Sequence, residues 1–390
     1  MTENRGTLGE RVCDLRKRRG LSQRELATAS KVSVSTVRKL EQGSAGETRM
    51  ETVRALAAAL RVPTTALVRR HPPEAPAPDP APWQPLLEAV AAPRPARLDE
   101  EPTAPGLLAA LAEVRRLHIA KRMADEVTVL VPLLREVDAL DSSPEVRSIR
   151  AQLLHMAGAM LTQARQYEGA ELALRRALDD APDHVRAASV VATSSWLLMR
   201  QGRWDKASDL AQRWADDTEP KLSRAPVETI AAWGWLLLHG ASASLRDARD
   251  GEADDMMRLA RAAAAVTGTI TPSSTRPDPW GPVVVAYKAA EKGVILDRPD
   301  EVLRAGQRLV GTGAGQETDY HRHRLDVARA YTMVRKYPEA VEVLTAIHAA
   351  QPEWLVQQRY AQDIVGHVIK RRRTLTPEMR VLADALSVPA

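Results

Sequence analysis

The chain holds a single cysteine, Cys13, in 390 residues, and no phenylalanine. One cysteine excludes an intrachain disulfide and fits a reducing compartment. Cys13 sits among the apolar positions of a short helical stretch, which favours a small packed residue over redox chemistry. Asparagine is nearly missing too, with Asn4 the sole example. Nothing in the physical chemistry of the chain accounts for the absent phenylalanine. No apolar run reaches the roughly 18 residues a membrane span needs. The first residues are charged and lack the apolar segment of an export signal. A cytoplasmic protein that neither spans nor binds a membrane is expected.

Catalytic constellations are also missing. The glycine-rich GTGAG at 311–315 follows no strand and precedes no Gly-Lys-Ser/Thr, so it reads as a loop between helices. His321 and His323 in YHRHR are two positions apart and would diverge on a helix, which disfavours a metal pair. No cysteine or acidic residue stands near them at ligand spacing. The chain is therefore not expected to be an enzyme, and no metal or cofactor is expected.

What the chain does have is charge in one place. The net charge is +5, but residues 1–70 carry 15 Lys/Arg against 7 Asp/Glu, and the remainder carries 40 against 43. The N-terminal segment has the footprint of a polyanion binder, and the rest has none. Residues 71–106 hold 11 of the 26 prolines. Such Pro/Ala runs are stiff, extended spacers, so this stretch reads as a linker. Its one break, from Trp83 to Val90, has the pattern of a short helix that docks on a neighbour.

From 107 to 390 apolar residues recur at three and four, in segments separated by short turns, with no alternating strands. The chain is read as all-α. A loose repeat is visible in QYEGAELALRRAL (166–178), RWDKASDLAQRWA (203–215) and KYPEAVEVLTAIH (336–348). Each copy has a basic or amide residue, an aromatic, two variable positions and an alanine. The matched alanines are Ala170, Ala207 and Ala340. A small residue there lets two helices approach, and the aromatic fills the gap beside the turn. Preceding helices are expected over about 144–163, 183–201 and 317–335. These segments resemble the second helices of tetratricopeptide repeats, which implies an α-solenoid with a concave binding surface. The stretch 218–315 does not show the repeat.

Within residues 1–70, Gly20 ends a first helix that starts near Leu8. Ser22 and Glu25 form a capping box that opens a second. Ser33 caps a third, which runs to about Gln42 and stops at Gly43. A fourth covers about 50–60, and Pro63 opens a short fifth ending near Val68. Val37 and Leu40 point inward with Leu26, Ala27 and Val32. That leaves Ser33, Val34, Ser35, Thr36, Arg38 and Lys39 outside or at the start of the third helix. Short hydroxyls at a helix N-terminus suit close approach to phosphates and base edges.

The stretches LSQRELA (21–27), VSVSTVRKLEQG (32–43) and ETVRALAAALRV (51–62) strongly resemble the helix-turn-helix domain of the phage-repressor and XRE family of transcription regulators. The resemblance implies a five-helix bundle whose third helix enters the major groove of double-stranded DNA. It implies that Gln23 anchors a phosphate, that Arg16 and Glu41 form a structural ion pair, and that Ser33, Val34, Ser35 and Lys39 touch bases. Lys31 departs from the glycine usual in that turn; a lysine beside phosphate would offset part of the cost of a left-handed conformation.

In the larger region, PWGPVVVAYKAA (279–290), RPDEVLRAGQRL and HRLDVARAY resemble the C-terminal half of a group of actinobacterial XRE regulators with degenerate tetratricopeptide repeats. Trp196, Trp233, Trp235, Trp280, Tyr287 and Arg322 are the candidates for an effector groove, with buried core as the alternative for the aromatics. XRE proteins with such repeats also resemble peptide-pheromone receptors, which clamp a peptide backbone with asparagines. The absence of asparagine here weighs against that reading. The expected protein is a homodimeric DNA-binding regulator on a two-fold operator, responsive to a small molecule, peptide or protein effector. The alternative is a DNA-bound adaptor that recruits a protein through its groove.

Overall fold

The computed structural model describes residues 7–43, 48–62, 64, 67, 80–91, 102–140, 142–271, 279–309, 317–372 and 374–388. The fold is all-α. The one β feature among the described residues is an isolated bridge between Ile270 and Trp280.

A small head comes first, built from α1 (Leu8–Arg18), α2 (Gln23–Ser30), α3 (Val34–Glu41) and α4 (Met50–Ala59). Thr7 caps α1 and Ser22 caps α2, each in a reciprocal capping box with the glutamate three residues on. The head core gathers Val12, Leu26, Val37, Leu40, Val53, Leu56 and Leu60, all buried. Thr64 and Leu67 are helical and buried. The rest of the expected fifth helix lies outside the described residues.

Within the proline-rich stretch, Ala81–Trp83 makes a single 3-10 turn that leads into α5 (Gln84–Ala91). Trp83, Leu86 and Val90 are buried in the core of the helices that follow, and Arg176 Nη1 donates to the Val90 carbonyl at 2.7 Å. Residues 81–91 are thus part of the body and not extended spacer, because their apolar side chains fall on one helical face. Thr103 then caps α6, so the body begins before residue 107.

The body is a series of antiparallel hairpins. They pair α6 (Ala104–Ile119) with α7 (Met123–Ala139), α8 (Pro144–Gln163) with α9 (Tyr167–Asp179), and α10 (His184–Arg200) with α11 (Trp204–Asp217). Next come α12 (Val227–Arg246) with α13 (Asp250–Thr267), α14 (Pro282–Ile295) with α15 (Pro299–Arg308), and α16 (Glu317–Met333) with α17 (Tyr337–Ala350). The short α18 (Pro352–Val356), α19 (Arg359–Ile369) and α20 (Pro377–Ala385) close the chain.

The same turn closes every one of these hairpins. A left-handed residue stands at Lys121, Arg165, Gly202, Ala248, Asp297 and Arg335, with φ between 56° and 74°. The following N–H reaches back to the carbonyl five residues earlier, as in Gln166 to Leu161 at 2.9 Å and Arg249 to Ser244 at 2.9 Å. This is the Schellman arrangement, which satisfies orphan carbonyls at a helix end. Ala170, Ala207 and Ala340 are fully buried where the two helices of a hairpin meet. The hairpins curl far enough that the Ala124 amide at the start of α7 donates to Glu353 Oε2 of α18 at 3.3 Å.

Candidate functional site

Two features stand out: the outer face of α3 and a cavity inside the body. In the head, Lys31 adopts φ 54° in the turn before α3. Ser33 Oγ accepts the Thr36 amide at 3.1 Å and lies 2.9 Å from Ser35 Oγ and 2.7 Å from Thr36 Oγ1. Ser33 is therefore committed to capping. Ser35, Arg38 and Lys39 are exposed, and Thr36 is half-buried. Val34 is half-buried against the head core, so it supports α3 as well as facing outward.

Behind this face, Arg16 Nε and Nη2 donate to the two oxygens of Glu41 at 2.6 and 2.8 Å. Gln23 Nε2 donates to Glu41 Oε2 at 2.8 Å. Burial would raise the Glu41 pKa, but these hydrogen bonds outweigh it and hold the carboxyl below its usual range. The Gln23 amide nitrogen is thus tied to the ion pair within the head, where the family resemblance had it anchoring a phosphate. Gly9 lets α1 approach this region: a Cβ there would lie 1.9 Å from the Leu40 carbonyl oxygen. Arg19 Nη2 donates to the Arg61 carbonyl at 3.1 Å.

The cavity has a volume of about 900 Å³, within the range of small-molecule sites. The first helix of successive hairpins supplies its wall. On α10 these are Ala192, Trp196 and Arg200; on α12 Trp235, His239 and Arg246; on α14 Lys288, Glu291 and Ile295. That three- and four-residue spacing is one face of each helix. Arg322 and Asp326 of α16 and Tyr360 of α19 complete that wall.

Charge inside the cavity is organised around Glu291. Arg246 Nη2 lies 2.5 Å from its Oε1, Ser242 Oγ donates to its Oε2 at 3.1 Å, and Arg322 Nη2 is 3.8 Å away. Burial would raise the Glu291 pKa, but Arg246, Lys288 and Arg322 hold it well below the usual carboxylate range. Asp326 goes the other way: burial pushes it up to about 6, against the pull of Arg322. The Arg322 guanidinium sits 4.6 Å from the Tyr360 ring centroid, a cation–π contact. His239 stacks on Trp235 at 5.4 Å, and burial lowers its pKa to about 3, so it stays neutral.

Of the six groove candidates, Trp196, Trp235 and Arg322 line the cavity. Trp233, Trp280 and Tyr287 are core residues instead. Trp233 Nε1 donates to the Ala215 carbonyl at 2.9 Å, and Trp280 Nε1 to Thr267 Oγ1 at 2.9 Å. Trp280 also packs where Gly234 has no side chain, and Tyr287 stacks on His323 at 5.2 Å. Trp233 and Trp235 part because two positions on a helix point to nearly opposite faces. His321 faces Trp354 and His323 faces Tyr287, so the two histidines diverge. The stretch at 311–315 lies outside the described residues. Sequence reading missed Glu291, Asp326, Arg200 and His239 in the cavity; a titratable side chain on the otherwise apolar α12 and α14 was the available signal for His239 and Glu291, whereas Asp326 stands on a charged helix that gives none.

The head rests on the body beside this cavity. Arg54 of α4 is 5% exposed, and its Nη1 donates to the Ile295 carbonyl at 3.0 Å. Burial lowers its pKa to about 10, with Asp250 opposing and Arg246 reinforcing. Arg49 Nε lies 3.3 Å from Asp297 Oδ2 in the α14–α15 turn. Ile295 also lines the cavity, so the contact point and the cavity wall share the end of α14.

Residues 14–67 match a family model described as helix-turn-helix. No curated protein and no solved structure matches the chain. Among the described residues no helix is long and apolar enough to cross a membrane.

Proposed function

We propose that this chain is a sequence-specific DNA-binding transcription regulator of the XRE kind, working as a homodimer on a two-fold operator. The helix-turn-helix match and the positive charge of residues 1–70 support DNA binding. In this reading α3 enters the major groove, with Ser35, Arg38 and Lys39 reaching base edges and phosphates. The body is a tetratricopeptide-like solenoid that senses a small molecule and sets the position of the head. The observation that carries the sensing role is the shared α14 end: Ile295 is cavity wall on one side and seat of Arg54 on the other. A ligand that favours one placement of that helix end shifts the population of head positions. The contact between α7 and Glu353 draws the first hairpin to the last helices, which favours a small molecule over a peptide or protein partner.

Selection of genomic fragments by the purified full chain tests the DNA-binding role. Wild type enriches a shared two-fold motif. Replacing Ser35 and Lys39 by alanine relaxes preference at particular bases, at about 1–3 kcal/mol for each well-matched pairing of side chain and base. Equal enrichment by wild type and the double variant would contradict the assignment.

A further inference from the structure

The cations of the cavity are unequally answered. Arg246 and Arg322 share the Glu291 carboxylate. Arg200, at the end of α10, has no such partner among the described residues. Its Nη2 donates to the Gln163 carbonyl at 3.3 Å, and its guanidinium lies 5.9 Å from the Trp196 ring centroid. Burial lowers its pKa; Tyr167 offsets part of that, and the neighbouring cations Arg322 and Arg165 lower it further. Close by, Arg165 Nε and Gln163 Nε2 are buried with no hydrogen-bond partner among the described residues. Asp363 sits 4.0 Å from Arg359, and burial raises its pKa against the pull of Arg359, Arg329 and Arg165.

Two guanidiniums and the Gln163 Nε2 donor therefore line one cavity, with the Trp196 indole beside Arg200. A buried donor without a partner is costly, and a bound group that supplies the acceptor is one way such a donor is satisfied. A guanidinium fork matches the oxygen spacing of carboxylate and phosphate. Trp196 and, farther along the wall, Trp235 offer flat apolar surface.

We propose that Arg165, Arg200 and Gln163 bind the anionic group, carboxylate or phosphate, of an effector whose flat apolar part lies against Trp196 and Trp235. The proposal rests on the sensing role of the cavity, and its test is chosen so that the two can fail separately.

Two fluorescent probes of like shape make the test on the full chain: anilinonaphthalene sulfonate, an anion, and phenylnaphthylamine, which is uncharged. Wild type binds the anion more tightly. Arg200→Gln and Arg165→Gln each weaken the anionic probe about tenfold, as expected when a charge-assisted hydrogen bond is removed, and leave the neutral probe nearly unchanged. Naphthoate and naphthyl phosphate displace the anionic probe better than naphthol does, and the tighter of the two identifies the group bound. Should Arg200→Gln not fold, Arg165→Gln carries the same comparison. Loss of both probes alike in the variants, or displacement by naphthol as good as by the anions, would overturn the anion subsite and leave the sensing role standing. Failure of both probes to bind wild type would overturn both.

Discussion

Glu41 is the residue on which the head turns. Its carboxylate joins α1 through Arg16 and α2 through Gln23, so three helices share one charge. The pair is only 11% and 5% exposed, and taking away one partner of a buried pair strands the other. Glu41→Gln should cost the head about 3 kcal/mol, read from urea or thermal unfolding followed by circular dichroism. The sign with pH follows from the lowered pKa. The Glu41 contribution is present above the ordinary carboxylate range and is lost as pH falls through the folded-state value. Wild type and variant should therefore converge in stability in acid. A constant difference down to low pH would contradict this role. The pair could be expected from the family resemblance, as could the exposed face of α3. The engagement of Gln23 by Glu41 could not, because sequence spacing does not say which side chains meet across three helices. Likewise Trp233 and Trp235 are adjacent in pattern, and their separation into core and cavity depends on which face of α12 turns inward.

At the scale of elements, the hairpin turn is the repeating unit. Tyr167 with Ala170, Trp204 with Ala207 and Tyr337 with Ala340 made three hairpins legible, and their helices fall where the pattern places them. The other hairpins keep the turn but lose the aromatic. Met123, Asp250 and Pro299 stand in its place, and Ala253 alone among their matched positions keeps the alanine. The left-handed residue was invisible as well, since Gly202 is the one glycine among those turn positions. A left-handed conformation costs a residue with a Cβ about 1 kcal/mol. Ala248→Gly should therefore stabilise the body by up to about 1 kcal/mol, and Gly202→Ala should destabilise it by a similar amount. Thermal unfolding of the full chain checks both. Shifts of the same sign would mean that the turns are not held as described.

For the whole molecule, the relation of head to body was not legible in the sequence. The proline-rich stretch read as a stiff spacer with one docking helix, which says nothing of where the head sits, and Arg54 counted only toward the positive charge of residues 1–70. In the structure Arg54 ties α4 to the α14 end, and α3 keeps its outer face exposed. The exposed Arg49–Asp297 pair adds little, since exposed pairs contribute at most about 1 kcal/mol. In the proposed homodimer a seated head has less orientational freedom to lose when both heads engage one operator, which raises the effective concentration of the second. The central claim is that the body controls the head through this seat. The direct measurement is the affinity of wild type and Arg54→Gln for a full two-fold operator and for a single half-site, at fixed salt. The account predicts that Arg54→Gln weakens the full operator about tenfold and leaves the half-site unchanged. An unaltered ratio of the two affinities would contradict it.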